Sequence, residues 1–154
     1  MIPSIVSRPL GSLFAAIMLD PIRLGSAVMP HAIWPPLAWI SHHVAWGAAR
    51  ASRSFLPRGH LLAAAMGFVH LAESVVGIEG QWETLDERTA VRRVHHCPHA
   101  ARLGRTTQFC TDMGEALGQG LSEALVDDPS VRFEVIRTRS QGHPCCEYRL
   151  TVAS

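Results

Sequence analysis

Three observations predict an α+β fold. The first half is apolar and almost free of charge, with apolar residues at helical spacing. The second half holds two pairs of short, β-branched, alternating runs, each pair joined by a turn signal. Between those pairs lies a stretch with apolar residues three and four apart. The expected architecture is a helical N-terminal half of about three helices, packed on a small antiparallel sheet of two hairpins with one intervening helix. The 154 residues fit one compact unit. Within it, residues 1–56 read as an apolar helical region for packing or dimerisation, and 57–154 as the α+β domain.

The spacing predicts helices over 10–19, 36–52 and 57–76. The first stops at Asp20-Pro21, the second has Pro35-Pro36 in its first turn, and the third is closed by Gly77. The third is apolar nearly all round, which implies central burial. Residues 80–85 and 89–95 read as a hairpin around Asp86-Glu87-Arg88. Residues 104–125 read as the intervening helix, with Cys110, Met113, Gly114, Leu117, Leu121 and Ala124 on one face. Gly114 and Gly118 are expected to admit another backbone. Residues 131–138 and 146–152 read as the second hairpin.

Apolar residues make up 47 % of the chain and charged residues 18 %, which excludes a disordered chain. The formal charge of +1 comes from fourteen arginines, no lysine and thirteen acids, and leaves no basic footprint for nucleic acid. Residues 1–72 hold five arginines and one acid; residues 73–154 hold nine and twelve. The stretch from Leu24 to Ala49 has no charged side chain, but its prolines and histidines argue against a membrane span. Packing on the domain or on a second subunit is the simpler reading, with homo-oligomerisation expected. Trp34, Trp39 and Trp46 also suit a peripheral membrane contact. No secretory signal is convincing, so the cytoplasm is the expected compartment and the four cysteines are expected as thiols or ligands.

Cys97 after a strand, Cys110 early in a helix, and Cys145-Cys146 at a hairpin are placed to converge. Thiolates at such points form the candidate metal set Cys97, Cys110 and Cys146, suited to a transition metal such as zinc. The competing reading is three small buried apolar side chains, because no C-x-x-C pair is present. Strand parity favours Cys146 over Cys145 as the inward residue, since it shares a face with Tyr148, Leu150 and Val152. The helix N-terminus is expected to favour a thiolate at Cys110. His70 and Glu73, three apart, read either as a hydrogen-bonded core pair or as an acid/base pair. His42-His43 reads as a surface or interface pair.

The motifs Val94-His95-His96-Cys97-Pro98-His99-Ala100, Phe109-Cys110-Thr111-Asp112 and Gly142-His143-Pro144-Cys145-Cys146-Glu147-Tyr148 resemble the L-2-amino-thiazoline-4-carboxylic acid hydrolase-like family over about residues 80–152. His143 stands where that family has Asp. The closing hairpin is also similar to the 4-vinyl reductase small-molecule-binding domain, whose members carry zinc through a Glu and three Cys; Thr138 and Arg139 stand where a further cysteine is expected here. The first resemblance implies water addition to a cyclic C=N bond and ring opening. His96, His99 or Glu73 would then activate water, or Cys97 would act as nucleophile, and Arg93 or Arg137 would hold a substrate carboxylate. The competing reading of both arginines is a solvated strand face. Three functions therefore stand side by side: a hydrolase-like enzyme with a Cys/His site, a non-catalytic small-molecule- or metal-binding module, and a membrane-peripheral interaction protein.

Overall fold

The computed structural model describes residues 32–55, 61–103, 107–126 and 130–153, with the single positions 22, 24 and 128. The expected helix over 10–19 lies outside the described residues, as does the boundary at 56–57. The chain is α+β, as its sequence predicts: helices, mostly N-terminal, cover one face of a four-stranded antiparallel sheet.

Helix α1 (Trp34–Ser52) carries Pro35-Pro36 in its first turn, where a missing amide donor costs nothing. Its inward stripe is Trp34, Ser41, Ala45 and Ala49, mostly small residues at four-residue spacing. Such a stripe lets another helix approach closely. The opposite side leaves Trp39, Ile40, Val44 and Trp46 exposed. A short 3-10 turn (Arg53–Phe55) follows.

Helix α2 (Leu61–Val75) departs from the expected all-round burial. Leu62, Ala65 and Val69 are buried, whereas His70, Leu71 and Val75 are exposed, so the helix lies on one side of the core and not through its centre. Its C-terminus ends as expected: Gly77 has φ 77°, and Ile78 donates its N–H to the Glu73 carbonyl at 2.8 Å.

Strand β1 (Glu79–Thr84) and β2 (Thr89–His96) form the first hairpin; β3 (Val131–Arg137) and β4 (Cys146–Val152) form the second. The sheet order is β1-β2-β4-β3. Between the hairpins the chain forms helix α3 (Pro98–Leu103), a π-helical turn (Phe109–Met113) and helix α4 (Gly114–Val126). The single helix expected over 104–125 is thus a π-turn running into a shorter α-helix, and Pro98 opens an additional helix.

Register assigns the two faces. The rows Trp82–Arg92–Tyr148–Val135 and Gly80–Val94–Cys146 face the helices, together with Ala90, Leu150, Phe133 and Val131. These meet Leu121, Ala124 and Leu125 of α4 and the inward residues of α1 and α2 in one core. The outer face carries Glu83, Arg93, Glu147 and Arg149. Ladder irregularities fall between Glu79 and Gly80 and between Val135 and Arg137. The edge of β3 is sealed by α4. Gln119 accepts the Phe133 N–H at 2.7 Å and donates to the Val131 carbonyl at 2.8 Å, while Glu115 accepts the Val135 N–H at 3.0 Å.

The close backbone approach foreseen at Gly114 and Gly118 occurs at Gly120. A Cβ there would collide with the His42 carbonyl of α1, whereas one at Gly118 would strike the Phe133 ring and one at Gly114 would make ordinary contact. The His42 imidazole and the Glu123 carboxylate, 3.1 Å apart, tie the same two helices together. Backbone cannot retreat as a side-chain tip can, so Gly120→Ala should cost about 1–3 kcal/mol of stability, in the range of overpacked cores. Gly114→Ala should be near neutral. Paired chemical-denaturation curves check both, and equal midpoints for the two variants would contradict this packing.

Candidate functional site

The three cysteines arrive from three local structures. Cys97 directly precedes α3, with its carbonyl accepting the Ala100 N–H at 3.2 Å. Its sulfur faces the amides of His99 and Ala100. Cys110 sits in the π-turn, where the Gly114 N–H reaches back to the Phe109 carbonyl. A π-turn widens the helix by one residue and re-aims the side chains within it. Cys146 opens β4 on the inner face and is buried, while Cys145 is half-exposed.

A short turn folds over this end of the sheet. Thr138 and Gln141 form a capping box around the 3-10 turn Arg139–Gln141, and Gly142 closes it at φ 92°. The Arg139 N–H donates to Cys146 Sγ at 3.3 Å. Ser140 hydrogen-bonds both the Thr138 hydroxyl, at 2.8 Å, and the Cys110 sulfur. The Arg139 guanidinium donates to the His95 carbonyl. Tyr148 hydrogen-bonds Cys146 from the next inner position of β4.

The thiols of Cys97, Cys110 and Cys146 are near enough that negative charge on one raises the pKa of another. Burial is the larger effect: it pushes Cys97 up to about 11 and Cys110 up to about 12, and raises Cys146. Burial thus opposes the thiolate expected at Cys110 from a helix dipole. The residue lies in a π-turn within the fold, and desolvation opposes the charge. Among the described residues, no group of three or more His, Cys, Asp or Glu side chains is arranged to hold a metal ion. The amides, hydroxyl and phenol that face these sulfurs favour the thiolates, and burial outweighs them.

The other candidate residues fall in distinct places. Glu73 does not pair with His70, which is exposed on α2. Its partner is Arg92, nineteen residues on: Nε donates to Glu73 Oε2 at 2.8 Å, and an NH2 nitrogen lies 2.7 Å from the same oxygen. The Arg92 side chain is 1 % exposed and its Cζ stands 5.8 Å from the Trp82 ring centroid. Burial and Arg92 lower the His70 pKa. His99 is buried against Phe109, ring centroids 6.1 Å apart, and its pKa is lowered by that burial. His96 ends β2, half-buried. Arg93 and Arg137 lie on the outer face. Arg93 pairs with Glu83 and Glu147, and Arg137 NH2 donates to Glu147 Oε2 at 2.6 Å. Register thus sets both away from Cys146, across the thickness of the sheet.

Arg92, Trp82 and Ser140, which the sequence reading did not assign, complete the site with Tyr148, which it placed on the inward face. The parity of Ala90, Arg92 and Val94 was the available signal for Arg92, since residues two apart on a strand share a face.

No family model matches the chain, and no curated protein matches it. Solved structures do. A trafficking protein particle complex subunit 3 from Naegleria fowleri, covalently bound to palmitic acid, aligns with a TM-score of 0.60 at 12 % identity, over 94 % of this chain and 95 % of that one. The phenol-responsive sensory domain of the transcription activator PoxR, with phenol, aligns with a TM-score of 0.57 at 10 % identity, over 92 % of this chain and 74 % of that one. The chain shares their fold.

Burial pushes the Glu73 carboxyl up to about 7, with the charge and hydrogen bond of Arg92 opposing. Between its ordinary value of 4.5 and about 7, the folded chain holds a proton that the unfolded chain has released. This group's contribution to stability therefore falls as pH rises through that window. The stability of the wild type relative to Glu73→Gln should decline from pH 5 to 7.5, measured by urea melts, and a flat difference would contradict the raised carboxyl. In Arg92→Met the decline should continue above pH 7. Half-buried thiols held protonated by desolvation should also resist alkylation. At pH 7.5 iodoacetamide should modify Cys97 and Cys110 at least about tenfold more slowly in the native chain than in urea, read by peptide mass.

Proposed function

We propose that this chain is a small-molecule-binding domain rather than a hydrolase. The observation that carries the reading is the meeting of Cys97, Cys110, Cys146, Tyr148 and the Arg92–Glu73 pair at one end of the inner sheet face. These are buried or half-buried sulfur and aromatic side chains with a few polar groups of defined direction, a mixture that small-molecule sites share. The two structural neighbours hold palmitic acid and phenol, both largely apolar molecules with one polar end.

The hydrolase reading asks more of the same residues. A nucleophilic Cys97 needs a thiolate, and burial holds its thiol well above neutral pH. Arg93 and Arg137, offered as anchors for a substrate carboxylate, are engaged with Glu147 on the far side of the sheet.

Native mass spectrometry of the purified chain, and melting temperature with phenol or palmitate as probes, test the proposal. Saturation at about a hundred times Kd stabilises by about 2.7 kcal/mol, which a melting curve resolves. The expected result is a retained small molecule or a saturable rise in melting temperature, without turnover of a 2-amino-thiazoline substrate. Turnover that is lost in Cys97→Ser would put the hydrolase first. No retained molecule and no shift with either probe would overturn the binding reading.

A further inference from the structure

Helix α1 turns an apolar side away from the core. Trp39 is 63 % exposed and Val44 65 %, and Ile40 and Trp46 are exposed beside them. Pro36, Gly47 and Ala51 lie on the same outward side. The helix holds no acid, and its one arginine, Arg50, stands near its C-terminal end. A contiguous exposed apolar surface of this kind marks a contact site. The Trp39 indole is also set in direction: the His43 ring lies 4.2 Å from it, centroid to centroid, and His43 Nδ1 is 2.8 Å from the Trp39 carbonyl. A side chain ordered in advance loses less freedom on binding.

Gly47 identifies the occupant. A Cβ at Gly47 would meet nothing within 4 Å, whereas one at Gly120 would collide with the His42 carbonyl. The packing of a single chain therefore gives no reason for glycine at 47, where it costs about 1 kcal/mol relative to alanine inside a helix. Gly47 follows Trp39 by a little over two turns on the same outward side. One helix thus carries an unmatched projection towards one end and an unmatched hollow towards the other. A second copy of the helix, laid antiparallel across this side, seats each Trp39 on the partner's Gly47. The two contacts are identical and are related by a two-fold axis beside His43, as in any isologous pair.

Charge and size agree with that occupant. The same exchange sets Arg50 opposite Pro36, at the rim of the overlap, so no ionised side chain is buried without a partner. A lipid surface is served less well, because helices that lie on membranes are rich in Lys and Arg along their polar side and α1 has a single arginine. Trp39, Ile40, Val44 and Trp46 offer roughly 500 Å² per copy and roughly 1,000 Å² for the pair, the lower limit for a specific interface.

We propose that α1 is a homodimerisation helix, pairing antiparallel with α1 of a second copy through reciprocal Trp39–Gly47 contacts. The inference stands apart from the ligand-binding reading.

Sedimentation velocity of the full chain, from about 1 µM to about 1 mM, tests it. The expected result is a reversible monomer–dimer equilibrium with a micromolar midpoint. Trp39→Ser should weaken it at least about tenfold, as loss of a central tryptophan does. Gly47→Leu should weaken it by about tenfold or more through overpacking, while the melting temperature of the dilute, monomeric chain stays the same or rises. Non-specific apolar association predicts the opposite for Gly47→Leu, since the variant adds apolar surface. Leu71→Ser, which removes an exposed apolar side chain from α2, should leave the dimer intact. A chain that is monomeric throughout would overturn the inference, whether or not it floats with vesicles of phosphatidylcholine and phosphatidylserine. A dimer that survives Gly47→Leu, or one that Leu71→Ser abolishes and Trp39→Ser does not, would overturn it as well.

Discussion

A permanently charged side chain set in the inner face of the sheet governs the surrounding structure. Arg92 is enclosed by the core and cannot shed its proton at any ordinary pH. The fold must therefore answer that charge with another group. Glu73 does so from the last turn of α2, which fixes where that helix ends against the sheet, and the Trp82 ring lies near the guanidinium. Desolvation outweighs the attraction, leaving the Glu73 carboxyl with a raised pKa. A pair held so close to balance is a poor source of stability.

The thiols beside this pair have the opposite character. Sulfur in a desolvated site behaves as a small, polarisable apolar surface with weak hydrogen bonding. Cys97, Cys110 and Cys146 accept from amides, a serine and a tyrosine without becoming ionised. The turn from Thr138 to Gly142 supplies two of those contacts. It is held by its own capping box, so its donors are oriented before anything else binds.

Much of this was legible in the sequence, and the failures have physical causes. The strand Cys146–Val152 stands where alternation put it, because one face is buried and register is then strongly specified. The clustering of cysteines at element ends was likewise readable. Their protonation was not, because desolvation depends on what the rest of the chain packs over them. His70 and Glu73 have the spacing of one helix face, yet the helix sits at the margin of the core, so one residue meets solvent and the other meets Arg92. Arg93 reads from sequence as a substrate anchor or a solvated face, and strand parity separates it from Arg92 beside it. Neighbours along a strand then divide, one into the core and one to the outer ion pairs.

The side chains of Gln119 and Glu115 occupy three outward hydrogen-bonding groups of β3, the Val131 carbonyl and the Phe133 and Val135 amides. Growth of sheets into an endless stack requires each molecule to offer two open sides. Here one side is closed from within the same chain, so strand-to-strand joining, wherever it began, would stop at a pair. Open-ended sheet growth through the β3 edge of the native domain is therefore blocked at these three groups.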